Sequence, residues 1–231
     1  MWLDSDSQQA LWLTLQLASI TTVLLIALGL PLAGWLAESR SRLAGVVEAV
    51  VGLPIVLPPS VLGFYLLLAF SPDAPLGAAW LGVVKHSLAF SFSGLVIGSL
   101  CYSLPFAVQP FTAAIKSVPS DLREAAAALG ASPKQRFWRV LVPAALPGLA
   151  AGTTLAFAHT LGEFGVVLML GGNLPGQTRV ASLALYDRVQ ALDYQSAHML
   201  AATLLVISFC LLLIVGLLQR RLRQRWEIGI R

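Results

Sequence analysis

The sequence predicts an all-α fold, a polytopic membrane helical bundle with five transmembrane helices. The 231 residues are 57% hydrophobic and 11% charged, with a mean hydropathy of +0.79, whereas a soluble domain carries about 25% charged residues. The apolar residues are also grouped into stretches longer than the ~20 residues with which a helix crosses a bilayer. These predicted spans cover residues 11–37, 45–70, 87–115, 144–170 and 194–218. We therefore expect one transmembrane domain over residues 1–231, surrounded by the lipid bilayer.

The second predicted span cannot be a straight helix, because it contains Pro54, Pro58 and Pro59. A proline lacks the N–H that the helix would use and bends the chain. In a membrane such breaks persist where neighbouring helices or a water-filled cavity satisfy the freed backbone groups. We therefore expect Pro58, Pro59, Ser60 and Val61 to line a pathway or a gate.

The longest polar interruption, residues 117–143, predicts two short helices joined by a turn. Ser120 is a candidate N-cap, Glu124 adds negative charge to the first turn, and the alanines beginning with Ala125 and Ala126 favour helix. Gly130 suits the position just past a helix end. The small alanine side chains would let the backbone of a partner protein come close to this helix.

The second helix of this loop is predicted from Ser132, an N-cap with Pro133 at the first helical position. Gln135 is placed to complete a capping box with Ser132. Pro143 either ends this helix or begins the next one.

The positive charges predict the orientation of the spans. With the N-terminus outside, only Lys85, Arg179 and Arg188 of the 15 Lys and Arg residues face outward. The basic residues on the cytoplasmic side are then Arg40, Arg42, Lys116, Arg123, Lys134, Arg136, Arg139, Arg220, Arg221, Arg223, Arg225 and Arg231. The positive-inside rule therefore predicts a periplasmic N-terminus and a cytoplasmic C-terminus. The pI of about 9.4 thus reports topology, and no nucleic-acid partner is expected.

Glu163 is the one acid predicted to lie deep within a span, with His159 four residues before it on the same helix face. Intramembrane charges are functional candidates, and a structural or gate-orienting use of Glu163 is favoured over proton coupling or substrate contact. The hydroxyl groups within the spans belong to Ser60, Thr153, Thr154 and Thr160. Back-bonding to helix carbonyls is the ordinary use of each of these.

No catalytic, metal or cofactor site is predicted. Cys101 and Cys210 both lie in apolar runs, and the chain has no phosphate-binding loop with Lys and Ser or Thr. Nucleotide would have to be bound by a partner protein. No basic residue lies in mid-membrane, so a high-affinity site for an anionic ligand is not expected in this chain.

The loop also resembles the EAA loop of ABC-importer permeases. Glu124, Ala125, Ala126, Gly130 and Pro143 match the family pattern in register. At two further positions of that pattern the family usually has Ile and Leu, and this chain has Val140 and Val142.

Two further segments are similar to the molybdate-type branch of these permeases. One is the double proline Pro58-Pro59 that opens the second span. The other joins an LGEFG segment, of Leu161, Gly162, Glu163, Phe164 and Gly165, to an NxPGxT loop, of Asn173, Pro175, Gly176 and Thr178.

The resemblance implies a type I ABC importer permease fold and a homodimer in the bacterial inner membrane. It implies two cytoplasmic ATPase subunits, which bind ATP and Mg²⁺, and a periplasmic oxyanion-binding protein that delivers molybdate or tungstate. The coupling loop would then contact the ATPase through Ser120, Glu124, Ala125, Ala126, Gly130 and Pro143. The gate would be formed by Pro58, Pro59, Ser60, Val61, Leu161, Gly162, Glu163 and Gly165.

Two alternatives stay open at this point. One is a permease for sulfate or thiosulfate, a related branch that usually has an additional span. The other is a secondary anion transporter in which His159 and Glu163 relay protons; such transporters usually contain internal repeats, and none is evident here.

Overall fold

A computed structural model of the chain describes the backbone of residues 3–228 and the side chains of residues 3–217. Arg231 lies outside the described residues, and the side chains of Arg220, Arg221, Arg223 and Arg225 lie outside the described side chains. The described helices are α1 (Ser5–Glu38), α2 (Arg42–Val56), α3 (Pro59–Phe70), α4 (Pro75–Val84), α5 (Phe92–Lys116), α6 (Ser120–Ala128), α7 (Pro133–Arg136), α8 (Val142–Leu161), α9 (Gly165–Gly171), α10 (Ala181–Gln190) and α11 (Tyr194–Ile228). A π-helical turn, Phe137–Leu141, connects α7 to α8.

Four helices are long and apolar enough to cross a membrane: α1, α5, the continuous Pro133–Leu161 and α11 over Tyr194–Leu217. Helices α2 and α3 form a fifth span only when they are counted together, and their axes differ by 113°. The all-helical membrane bundle is therefore confirmed, and so is the expectation that the second span is not straight.

The predicted fourth span, residues 144–170, is wrong as a continuous helix. The structure extends this helix backward to Pro133 and ends it at Leu161. The chain then leaves helical geometry at Gly162, Glu163 and Phe164 before α9 begins. Hydropathy did not predict this break because the flanking residues are apolar on both sides.

Helix α5 lies at the centre of the bundle and packs against α1, α2, α8 and α9. Small side chains allow the close approach, since Ala33, Ala107 and Ala156 are completely buried where α1, α5 and α8 meet. Phe111 and Leu25 fill the remaining space in this part of the core. Residues on α5 are therefore positioned to contact several other helices.

Helix α11, unlike α5, buries little of its surface inside the chain. Only 6% of its most apolar window, within Tyr194–Leu217, is buried inside the chain. Leu205, Phe209 and Ile214 are each more than 60% exposed, as is expected of a helix whose apolar surface is covered by lipid or by another protein.

Candidate functional site: a cavity between two helix breaks, and the loop before α8

The first helix break separates α2 from α3. Neither Pro58 nor Pro59 has an N–H to continue the backbone ladder of α2, so α2 ends at Val56. Pro58 then takes the N-cap position of α3 and Pro59 the first helical position, which proline favours. The local sequence is sufficient to explain this break.

The second break separates α8 from α9 and contains no proline. Its three residues are Gly162, Glu163 and Phe164. The two breaks touch, because a Cβ added at Gly165 would lie 2.8 Å from the Cβ of Pro59. The structure therefore brings together the two segments that the sequence predicted as parts of a gate, although they are about 100 residues apart in the chain.

A cavity of about 630 Å³ lies between the breaks. The residues that line it are Pro59, Ser60, Tyr102, Ala158, His159, Gly162, Glu163, Phe164, Gly165, Leu168 and Met169. Five of the predicted gate residues are in this set. Pro58, Val61 and Leu161 are not part of the lining, and Leu161 is buried in the protein.

Glu163 is held by three serines from two other helices. Its carboxylate accepts a short hydrogen bond from Ser99 and another, of 2.8 Å, from Ser103. Its backbone carbonyl accepts a hydrogen bond of 2.5 Å from Ser182 on α10. Glu163 is only 3% exposed, so these contacts provide the polar partners that a buried carboxylate requires.

The sequence interpretation missed Ser99 and Ser103. Both are completely buried on α5, and their spacing of four residues places them on one helix face. Two buried serines with this spacing in an apolar helix were the available signal, but nothing local indicates which residue they contact.

His159 and Glu163 lie within ion-pair distance of each other, as predicted, but share no direct hydrogen bond. The His159 Nδ1 to Glu163 Oε1 distance is 3.9 Å, and the Ser103 hydroxyl lies between the two groups, 2.9 Å from Nδ1. The imidazole ring stacks on Phe106 with ring centroids 3.7 Å apart, and the Tyr102 ring is 4.7 Å away. The predicted pair is therefore a three-membered chain through Ser103.

Most of the predicted intramembrane hydroxyls bond to their own helix, as expected. Thr153 donates to the Leu149 carbonyl at 2.9 Å and Thr154 to the Ala150 carbonyl at 2.8 Å. Ser60 differs, since it lines the cavity and is exposed.

In the loop of residues 117–143, much of the predicted local structure is confirmed. Gly130 has a φ of +79°, and the amides of Gly130 and Ala131 donate to the carbonyls of Ala127 and Ala126, which is the Schellman arrangement. Ser132 and Gln135 form the predicted capping box. No residue of α6 is buried, so the helix is open to a partner on nearly all sides.

The prediction that Ser120 caps α6 is wrong. Pro119 occupies the N-cap position, and Ser120 is the first helical residue, with its hydroxyl directed to Asp121. Proline at position 119 favours the extended conformation that an N-cap needs. The helix is fixed from the other side by Arg123, which donates to the carbonyls of Ile115 and Val118 at the end of α5.

Pro143 neither ends a helix nor interrupts one. It lies in the first turn of α8, directly after the π-helical turn Phe137–Leu141. In an ordinary helix a proline cannot donate to the carbonyl four residues before it, and its ring clashes with that carbonyl oxygen. The wider π turn before Pro143 accommodates the ring. The second helix of the loop therefore continues into the membrane span.

The loop of Asn173, Pro175, Gly176 and Thr178 packs against its own helix end. Thr178 donates to the Gly171 carbonyl at 2.5 Å and accepts from the Leu174 amide at 3.0 Å. Asn173 donates to both carboxylate oxygens of Asp187 on α10. These contacts give the loop a structural role and tie α9 to α10.

Ion pairs join α10 to the N-terminus. Arg188 lies 2.6 Å from Asp4 and also contacts the Ser7 hydroxyl, while Arg179 lies 3.4 Å from Asp6. Hydrogen bonds from Ser7 and then from Arg188 lower the pKa of Asp4 from its ordinary value of 3.8 to about 2. The chain ends of α1 and α10 are thus held together outside the membrane-spanning segments.

Residues 8–224 match a family described as "Binding-protein-dependent transport system inner membrane component". The chain belongs to this family. It is therefore the membrane permease subunit of an ABC importer that works with a binding protein and an ATPase, as the resemblance of the EAA-like loop implied.

Similar proteins agree with this placement. A "Molybdenum transport system permease protein ModB" from Azotobacter vinelandii is 48% identical over 92% of this chain and 94% of its own length. A "Probable sulfate transport system permease protein cysT" from Zygnema circumcarinatum is 35% identical over 86% of this chain and 69% of its own length. A crystal structure of a bacterial ABC transporter for the polysaccharide alginate has a chain of the same fold, with a TM-score of 0.78 at 20% identity over 94% of this chain and 80% of that one.

Proposed function

We propose that this chain is the permease of an importer for molybdate or tungstate. The observation that supports this substrate is the 48% identity to a molybdenum permease along nearly the full length of both chains. The sulfate permease relative is less similar, and the match covers only 69% of its length. The double proline and the LGEFG and NxPGxT segments, which typify the molybdate-type branch, support the same assignment.

The proposed topology has a periplasmic N-terminus and a cytoplasmic C-terminus. It rests on the excess of Lys and Arg in the segments on one side of the spans. The same orientation places the ion pairs of Asp4 and Arg188 in the periplasm and α6 in the cytoplasm, within one transmembrane domain of residues 1–231.

The proposed partners are a second copy of this chain, two ATPase subunits and a periplasmic oxyanion-binding protein. The exposed surface of α6 supports docking to an ATPase groove, where Ala125 and Leu129 offer an apolar face beside the exposed Glu124. The ATPase would hold ATP and Mg²⁺. The unburied apolar surface of α11 is available to lipid or to the second copy.

The two helix breaks are the proposed gate. Each break interrupts the helical backbone ladder beside the cavity, and each would let the outer helical segment move relative to the inner one. Movement of α6 would reach them through α5, because Arg123 connects α6 to the end of α5 and Ser99 and Ser103 connect α5 to Glu163.

Uptake of radiolabelled molybdate tests the function. The chain would be produced with its cognate ATPase and binding protein in cells that lack their own molybdate uptake. We expect saturable uptake that requires the ATPase, is inhibited by tungstate and is unaffected by sulfate. Inhibition by sulfate would assign the chain to the sulfate branch, and uptake without the ATPase would refute the proposed mechanism.

Replacement of Gly130 tests the coupling loop. A Cβ at this position meets no atom within 4 Å, so Gly130→Val introduces only the backbone strain of its φ of +79°, roughly 1–2 kcal/mol. We expect the variant to insert and its complex to hydrolyse ATP, with about tenfold less molybdate moved per ATP, a factor that corresponds to 1.4 kcal/mol.

Gly130→Asn is the matched control, because asparagine tolerates the left-handed region. It should retain most of the coupled uptake. Equal losses in the valine and asparagine variants would contradict a role for the turn conformation.

A further inference from the structure

His159 presents a ring nitrogen to the cavity between the two helix breaks. Its ring lines that cavity and is fixed on its face by Phe106. Nδ1 is directed to the Ser103 hydroxyl, 2.9 Å away, which leaves Nε2 as the nitrogen available to a molecule in the cavity. The stack and the serine contact together fix the ring before any ligand arrives.

Behind this ring the hydrogen bonds form a continuous chain. Ser103 lies 2.9 Å from His159 Nδ1 and 2.8 Å from Glu163 Oε1, and Ser99 bonds the other carboxylate oxygen. A proton can shift along this chain without leaving any member unpaired. Ser103 gives its proton to Nδ1 and takes one from Glu163 Oε1, so the net charge of the cluster does not change.

Apart from His159, the residues that line the cavity offer an anion no positive charge. None of its lining residues is Lys or Arg, and a doubly charged oxyanion in a water-poor site needs compensating positive charge. Ser60 and Tyr102 supply hydroxyl groups but no charge. A histidine that takes up the Glu163 proton through Ser103 on the arrival of the anion would turn the positive end of this cluster toward the anion.

The geometry points to His159 as a conditional ligand of the transported oxyanion, which becomes charged through Ser103 at the expense of Glu163. This assignment rests on the proposed function, since it takes a tetrahedral dianion as the ligand. With no anion present, the proton belongs on Glu163 and the ring is neutral. With an anion present, His159 is the cation facing the cavity, and Glu163, held by Ser99 and Ser103, is its buried counter-ion.

The surroundings of the ring add no other charge. From α5 the titratable group facing His159 is Tyr102, and from the second helix break it is Glu163. Pro59 and Ser60 of α3 and Leu168 and Met169 of α9 complete the lining and do not titrate. The pH dependence of the ligand can therefore be assigned to the His159–Glu163 cluster.

The experiment measures molybdate uptake by the whole complex in proteoliposomes, with saturating binding protein, at several pH values. The readout is the ratio of variant to wild-type rate, which removes the pH dependence of the ATPase and the binding protein. We expect His159→Gln and Glu163→Gln each to lower the rate about tenfold at neutral pH, the size of one charged hydrogen bond. The double variant should be no slower than either single variant, because both act on one cationic state.

The ratio for His159→Gln should approach one as the pH rises, since the wild-type cluster then also lacks its proton. His86→Gln, the same substitution at an exposed histidine outside the cavity lining, is the matched control and should follow the wild type. If His159→Gln does not assemble, His159→Asn, which keeps an amide near the Nδ1 position but withdraws from the cavity, should show the same loss.

Additive losses in the double variant, or a ratio of variant to wild-type rate that does not change with pH, would overturn the assignment of His159 as a ligand. If the wild-type complex still took up molybdate, the proposed function would remain intact. Absence of uptake by the wild-type complex would instead refute the proposed substrate, and the assignment with it.

Discussion

The two helix breaks at the cavity look alike in the fold but have different physical causes. Between α2 and α3, Pro58 and Pro59 lack the N–H groups that a continuous helix needs, so the break follows from the covalent structure. Between α8 and α9 no proline is present. There, Ser99, Ser103 and Ser182 from other helices hold Glu163 in a non-helical segment.

Because their causes differ, the two breaks of the proposed gate should respond differently when neighbouring helices move or are mutated. A break made by proline persists whatever its neighbours do. A break made by tertiary hydrogen bonds lasts only while those bonds are intact, so the second break is the one that a movement of α5 can reset.

The largest loss of stability and uptake is expected when the serine hydrogen bonds to Glu163 are removed. Ser99→Ala combined with Ser103→Ala leaves the Glu163 carboxylate, now 3% exposed, without its donors. Each buried hydrogen bond lost at this carboxyl group costs about 1–3 kcal/mol, so the unfolding midpoint of the purified protein in detergent should fall sharply and uptake should be lost.

Adding Glu163→Met to that pair is the matched control. Replacing all partners of a buried polar contact by apolar groups is nearly neutral, so this triple variant should regain most of its thermal stability while uptake stays impaired. Failure to regain stability would contradict the view that the serines act by satisfying the carboxylate.

An intermediate effect is expected where the breaks touch. The Cβ of Gly165→Ala would lie 2.8 Å from the Pro59 Cβ and 3.3 Å from the Ser60 amide nitrogen. Overpacking of this kind costs about 1–3 kcal/mol. Thermal unfolding of the variant should show that loss.

Gly162→Ala is the control for Gly165→Ala at the same break, because its Cβ would meet nothing closer than the Ala158 carbonyl oxygen at 3.8 Å. It should change the free energy of unfolding by less than about 1 kcal/mol, as surface substitutions away from special features do. Equal effects of the two alanines would mean that contact between the breaks is not what limits position 165.

The smallest effect is expected at the far end of α10, the helix that supplies Ser182. The pKa of Asp4 is lowered from 3.8 to about 2, so its stabilising contribution is complete above pH 3.8 and is lost as the pH falls toward 2. Since the Asp4 side chain is 54% exposed, solvent limits this contribution to about 1 kcal/mol or less.

Asp4→Asn isolates the charge, because asparagine still accepts the N-cap hydrogen bond from the Ser7 amide. Its stability should be slightly lower than wild type at neutral pH and should converge with it in acid. Stability curves that stay parallel down to pH 2 would show that the charge of Asp4 contributes nothing.

The loop of residues 117–143 shows what local sequence can predict. The left-handed Gly130 and the capping box of Ser132 and Gln135 were both predictable, since each involves residues within a few positions of one another. The Ser120 cap failed for an equally local reason, because Pro119 suits the N-cap conformation and displaced it.

The membrane bundle and the break at Pro58 and Pro59 could be predicted from the sequence, because hydropathy, missing N–H groups and capping side chains act within a few residues. The end of the helix at Leu161, the hydrogen bonds from Ser99 and Ser103 to Glu163, and the link from Glu163 through Ser103 to His159 follow only from the assembled bundle. These features depend on contacts between residues about 60 positions apart. A buried carboxylate takes its donors from whichever helix packs beside it, and that neighbour is fixed only when the bundle assembles.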